Sequence, residues 1–182
     1  MLYKRNSIFY VRKYNLYNNH NKHKVCLPKI KNVNLIILNK INDLEKLEKN
    51  KYEFLTSSFN SFLSFIKSGL ICFLFEHNKK IIHENWLAMN KNAVKSFETW
   101  FHDINFDKSA VWGGAQTHKD YLKKGLYHAS QSNIYNFLIK SGIEYNNFSV
   151  WSGNYSGNIS VKKFKPRIYK NGYMIKIFNK NI

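Results

Sequence analysis

Cysteine and proline are nearly missing from this chain, with two of each in 182 residues. Cys26 and Cys72 form no spacing pattern, which excludes a disulfide scaffold and fits a reduced, cytoplasmic protein. Acidic residues are scarce, 11 against 29 basic ones, so the formal net charge is +18. Arginine is scarcer still: Arg5, Arg12 and Arg167 only. Arginine reads bases and clamps phosphates, and the lysines are scattered through every segment instead of forming a stripe. The joint excess of Lys, Asn and Ile points to A/T-rich coding. The charge therefore argues against dedicated nucleic-acid binding, although a basic surface concentrates anionic ligands.

No apolar run approaches the ~18–20 residues that span a bilayer. The longest, Gly69 to Phe75, has the length of a strand, and Met1 to Tyr10 lacks the apolar core of a secretory signal. His20, His23 and Cys26 stand three apart, but a structural zinc site needs a fourth ligand and none is in view. No metal is expected.

What remains is 44% hydrophobic and 16% aromatic, enough for one folded domain. Residues 1–32 read as an N-terminal extension: Ser7 to Arg12 is a short strand and Tyr14 to Lys24 a polar loop. Residues 33–182 read as the domain proper. Val33 to Leu38 is a strand, Asn39 to Lys49 a helix, and Tyr52 to Lys67 a second helix that Ser68-Gly69 ends. Leu70 to Phe75 and Lys80 to Met89 form a hairpin, whereas Asn90 to Phe106 is not legible. Ala110-Val111-Trp112 begins a strand that meets Gly113-Gly114, either a bulge or a strand end. A basic loop from Lys119 to Gly125 leads into a helix with Leu126, Ala129, Ile134, Phe137, Leu138 and Ile139 on one face. Phe148 to Trp151 is a strand, Tyr155 to Lys163 is helix-like, and Tyr173 to Phe178 is the last strand. Strand, glycine-containing basic loop and helix N-terminus together make a device for holding phosphate, because the first helical N–H groups are unpaired.

The stretch Ser109 to Gly142 resembles motif A of the GCN5-related N-acetyltransferases (GNAT), which use acyl-CoA. The family pattern is Gln or Arg, two residues, Gly, one residue, then Gly or Ala. Here it reads Leu122-Lys123-Lys124-Gly125-Leu126-Tyr127, and only Gly125 matches. The order of elements matches throughout 33–178. Asn154 stands where the family commonly has an Asn after its next strand, and Lys163-Phe164 stands where it has Lys-Leu. The resemblance implies an α/β fold: a mixed, mostly antiparallel, splayed sheet flanked by helices. It implies acetyl-CoA or another acyl-CoA as cosubstrate and direct attack by an amine of a small-molecule or other acceptor. By resemblance the backbone of Ala115, Gln116 and Thr117 lines the pantetheine arm. The amides from Lys123 through Lys124, Gly125 and Leu126 to Tyr127 hold the pyrophosphate, and Asn154 completes the cofactor-binding set. The family's frequent Tyr, a proton donor to the leaving thiolate, falls at Val161, leaving Tyr155 or Tyr127 as substitutes.

For a catalytic base the candidates are Glu84, in the apolar run Ile81 to Trp86, and His118. Strand alternation puts Ile82, Glu84 and Trp86 on one face. Glu84 is either on a solvated face or in a cleft, and His83 reads as a surface or core-edge residue. Trp86, Trp100, Trp112 and Trp151 belong to the core or to an acceptor pocket. Departures at Leu122, Tyr127 and Val161 leave a catalytically degenerate binding module of the same fold, or a basic nucleic-acid-binding protein, as alternatives. A homodimer is compatible with all of these.

Overall fold

The structure, a computed structural model, describes residues 7–179 except 23, 29, 56–58 and 97–99, with the side chains of 7–10 and 176–179 also left undescribed. Its seven strands are β1 (Ser7–His20), β2 (Asn34–Leu38), β3 (Ile71–His77), β4 (Lys80–Ala88), β5 (Ser109–Thr117), β6 (Tyr145–Trp151) and β7 (Arg167–Asn179). Helices α1 (Ile41–Lys49) and α2 (Phe59–Lys67) follow β2, and the single turn α3 (Lys91–Val94) follows β4. Helix α4 (Leu126–Lys140) joins β5 to β6, and α5 (Tyr155–Lys162) joins β6 to β7. The strands form one sheet in the order β2-β3-β4-β5-β6-β1-β7. Every neighbouring pair is antiparallel except β5 and β6. Among the described residues no helix is long and apolar enough to cross a membrane.

Helices cover both faces, so the central strands β3 and β4 are buried along unbroken runs instead of at alternate positions. On one face Leu44 and Leu47 of α1 and Phe62 and Ile66 of α2 pack on Leu38, Cys72, Leu74 and Trp86. The Phe62 and Phe65 rings each lie 5.0 Å from the Trp86 indole. On the other face Ile134 and Leu138 of α4 pack on Phe73, Leu87, Trp112, Phe148 and Val150. Each fully buried side chain of this size contributes roughly 1.5–3 kcal/mol, so the two sandwiches hold the sheet from both sides.

Three elements differ from the sequence reading. The strand expected to end near Arg12 continues to His20, through the stretch read as a polar loop. Asparagine is a poor strand former, but here the asparagines bond to β6 and to α5. Asn18 Nδ2 donates to Asn147 Oδ1 at 2.9 Å, and Asn15 Nδ2 donates to Asn158 Oδ1 at 3.1 Å. Leu16 and Tyr17 are buried, one in each core cluster. Pairing with β6 on one edge and β7 on the other overrides local propensity. β1 is thus an interior strand of the sheet. Next, β7 starts at Arg167 rather than Tyr173, because it pairs along nearly the whole of β1. Finally, α2 starts at Phe59, and Glu53 makes an isolated bridge to Lys80 instead of joining the helix.

Gly172 shows how tightly the far end is packed. A Cβ there would lie 2.9 Å from the Trp100 ring and 3.0 Å from Leu16. Gly172→Ala is expected to cost about 1–3 kcal/mol through overpacking. A melting temperature unchanged within a degree would contradict this packing.

Candidate functional site

β5 and β6 pair in parallel only from Ser109↔Tyr145 to Val111↔Asn147. Beyond Val111 and Asn147 no further pair joins them, and a cleft of about 860 Å³ fills the gap. Trp112, Gly113, Gly114, Ala115 and Thr117 line it from β5, and Ser149, Val150 and Trp151 from β6. The strand does not end at the glycine pair: β5 runs on to Thr117, Gly113 pairs with Trp86, and the register shift between Glu84 and Trp86 places a bulge at Gly114 and Ala115. Gly114 has φ +65°, and an added Cβ would lie 3.2 Å from the Trp86 indole. The bulge bends β5 and weakens its pairing at the point where the cleft opens.

The start of α4 closes one end of this cleft. Lys119–Tyr121 form a 3-10 turn, Lys123 has φ +63°, and Gly125 is the helix N-cap at φ +80°. Gly125 offers no capping side chain, and nothing lies within 4 Å of where its Cβ would stand. The first-turn N–H groups and the positive end of the helix dipole are therefore left for a ligand. Lys123, Gly125, Leu126 and Tyr127 line the cleft, as does Asn154. Lys124 is not among the lining residues; its Nζ sits 4.4 Å from the centre of the Tyr121 ring. Gln116 is exposed at the end of β5 and is not among them either. Most of the expected cofactor positions thus share one cleft.

Asn154 also has a local duty: its side chain caps α5 by accepting from the Gly157 N–H at 3.0 Å. Val161 is fully buried in the α4-side core, so no hydroxyl at that position reaches the cleft. Tyr155 is 80% exposed and not among the lining residues. Tyr127 does line the cleft. Burial pushes its phenol up, against a hydrogen bond with Gln131, so it is protonated at neutral pH.

The two base candidates stand apart from this lining. His118 accepts from the Asp120 N–H at 3.3 Å and caps the 3-10 turn. Glu84 is 1% exposed and lies across from Gln116. Burial raises its pKa to about 7, a hydrogen bond with Trp86 opposing, and its Oε2 has no partner among the described residues. The solvated-face reading of Glu84 is excluded by this burial. The expected alternation fails here: the β3–β4 register shifts at Phe75/Glu76, and Ile82 packs with Leu126 and Ala129 of α4. Trp86 packs with α2 on the opposite face.

His83 is a correction to the sequence reading, since it is wholly buried instead of peripheral. Its Nδ1 is 2.7 Å from Thr117 Oγ1 and its Nε2 2.9 Å from Ser130 Oγ. Burial lowers its pKa to about 3. Cys72 is no nucleophile: burial, aided by the charge of Glu84, pushes its thiol well up. Among the described residues no three His, Cys, Asp or Glu side chains converge as a metal site. His23 lies outside them. Of the four tryptophans offered for an acceptor pocket, Trp112 and Trp151 line the cleft; the sequence reading missed Tyr14 and Ser149 beside Trp151. Tyr14 pairs with Trp151 and Leu16 with Ser149, which puts all of them on the α1/α2 face. An aromatic at a strand end followed by Ser-Gly is the only signal in the sequence, and it also describes a turn.

No protein-family model matches the chain, and no curated protein matches its sequence. Solved structures do match the fold. A GCN5-related N-acetyltransferase from Sphaerobacter thermophilus superposes with TM-score 0.63 at 12% identity, over 94% of this chain and 53% of that one. One from Kribbella flavida gives TM-score 0.55 at 9% identity, over 94% and 60%. A tandem GNAT protein of the clavulanic acid biosynthesis pathway gives 0.62 at 8% identity, over 92% and 54%. The chain spans about half the length of the first solved structures that it matches. It has the fold of the GNAT acyl-CoA N-acyltransferases: a mixed seven-stranded sheet flanked by helices.

Glu84 and His83 have opposite pH signatures. A carboxyl whose folded pKa is raised from 4.5 to about 7 loses stability as pH climbs through that window. An imidazole lowered from 6.5 to about 3 loses stability as pH falls through that one. Glu84→Gln is therefore expected to raise the melting temperature more at pH 8 than at pH 5. Equal shifts at the two pH values would mean that Glu84 is not held protonated by the fold.

Proposed function

We propose that the protein moves an acetyl or other short acyl group from acyl-CoA to an amine by direct attack. One observation carries this reading: a parallel strand pair parts after three residues over a cleft that ends at an uncapped, glycine-started helix. The residues present suit acyl-CoA. The strand edges beyond Val111 and Asn147 can accept an extended amide-bearing chain as an added strand. The N–H groups from Lys123 to Tyr127 can hold a pyrophosphate, with Lys123 and Lys163 adding charge within the cleft. The cosubstrate would supply an activated thioester. The chain would orient it, exclude water from it and remove the proton of the attacking amine.

The amine would enter by the mouth at Tyr14, Ser149 and Trp151, opposite α4. Glu84 would take the proton: it lies on the α1/α2 side with Trp86, and a pKa of about 7 is suited to general-base work near neutrality. Because Glu84 does not line the cleft, a water would relay the proton. Tyr127 lines the cleft with a protonated phenol and would be the donor to the leaving thiolate, the place that Val161 cannot fill.

A thermal-shift titration with CoA and acetyl-CoA tests the cleft. At a hundredfold excess over Kd, binding raises stability by about 2.7 kcal/mol, which moves the melting temperature by several degrees. Gly125→Asp puts a charged side chain at the cradle and should weaken CoA more than tenfold, about 1.4 kcal/mol, with the fold retained. A folded variant that binds CoA as tightly as the parent overturns the cradle assignment. In a screen of amines with acetyl-CoA, Glu84→Gln should lower kcat roughly 10²-fold with little change in the acetyl-CoA KM. If it is near wild type and His118→Ala is inactive, the base is His118. CoA binding with no turnover on any amine would mark a binding module of the same fold, as Leu122 and Val161 allow.

A further inference from the structure

The most completely bonded side chain next to the cleft is one that the mechanism does not use. His83 points from β4 towards α4, and each ring nitrogen has a partner: Thr117 Oγ1 at 2.7 Å and Ser130 Oγ at 2.9 Å. Ser130 is itself wholly buried; its hydroxyl donates to the Tyr127 carbonyl at 3.0 Å and accepts from Asn85 Nδ2 at 3.0 Å. With the Ser130 proton committed to Tyr127, the His83 Nε2 must be the donor in its bond. Nδ1 then accepts from the Thr117 hydroxyl. Burial keeps the ring neutral, and of its two neutral tautomers the one protonated on Nε2 satisfies the whole chain of bonds. The rings of Phe75 and Tyr127, centred 6.0 and 6.4 Å away, hold the imidazole from the sides.

The two ends of this bridge belong to different walls. Thr117 lines the cleft at the end of β5, where the extended arm of acyl-CoA would lie. Ser130 sits one turn into α4, tied through Tyr127 to the turn that begins at Gly125. A leucine or phenylalanine would fill the same volume without the cost of desolvating an imidazole. Apolar packing alone, however, fixes no hydrogen-bonded distance between a strand end and a helix turn.

We propose that His83 is a positioning residue that sets the spacing between the end of β5 and the first turns of α4, and so matches the cleft to CoA. This rests on the acyl-CoA reading above. His83 touches no substrate; it acts through Thr117 and Ser130. It is a rigid spacer whose ring holds one donor and one acceptor at fixed separation.

The test compares wild type, His83→Phe, Ser130→Ala and Thr117→Val by apo melting temperature and by calorimetric titration with CoA. His83→Phe keeps the ring and removes both bonds; it is expected to raise the CoA Kd tenfold or more in the folded protein. Ser130→Ala should do the same from the helix end, and Thr117→Val should raise Kd about threefold. A merely structural role predicts lower melting temperatures with an unaltered CoA Kd, and that result overturns the proposal. If His83→Phe does not fold, Thr117→Val decides, since Thr117 is only half-buried: an unchanged Kd overturns the bridge. Wild type that binds no CoA at all is a different outcome, and it removes the acyl-CoA reading itself.

Discussion

The short parallel contact between β5 and β6 is the constraint on which the rest depends. Three residue pairs are enough to fix the two strands side by side, and too few to close the sheet beyond them. A parallel pair requires a crossover connection, and α4 is that crossover. Its N-terminus must then lie beside the C-terminal ends of both strands, at the mouth of the gap between them. The place proposed for a phosphate cradle is therefore a consequence of topology. Residue choice enters afterwards, with Gly125 at positive φ and a bulge at Gly114 and Ala115 where β5 passes the gap.

A gap in the middle of a sheet would weaken it unless both halves were anchored separately. On one side α1 and α2 pack on β2–β4 through Phe62 and Trp86. On the other, β1 pairs along β6 and along nearly all of β7. Asn158 adds a tie across the second half, accepting from Asn15 Nδ2 and from Tyr17 Oη at 2.8 Å. His83 and Ser130 tie the first half to α4. The halves are thus rigid and their junction is thin, which is what a sheet that opens around a ligand requires.

The strand, loop and helix from Ala110 to Ile139 were legible because each has its own local chemistry: β-branched and aromatic residues, then lysine and glycine, then a helical apolar period. The β3–β4 hairpin was legible for the same reason. β1 was not, because its asparagines bond to partners about 130 residues away, and no local propensity reports such a bond. Nor was the face of Ile82, since a register shift is set by two strands together and alternation reads only one. Within the site, Gly125 and Asn154 were legible as backbone-determining residues. His83 was not: its partners, Thr117 and Ser130, lie 34 and 47 residues away and are brought together only by the sheet and its crossover.

β4 carries a titratable pair at adjacent positions that face opposite layers. His83 meets two hydroxyls that suit a neutral imidazole, and it remains uncharged at all physiological pH values. Glu84 is buried beside Trp86 in an apolar layer, one oxygen without a partner among the described residues, and burial raises its pKa to about 7. The cause is the same for both: burial disfavours the charged form, which lowers the imidazole and raises the carboxyl, the latter against a hydrogen bond with Trp86. The strand thus holds a rigid group on the α4 side, where a phosphate cradle is proposed, and a proton-exchanging one on the side where an acceptor would enter. That division of labour follows from which helix each residue faces.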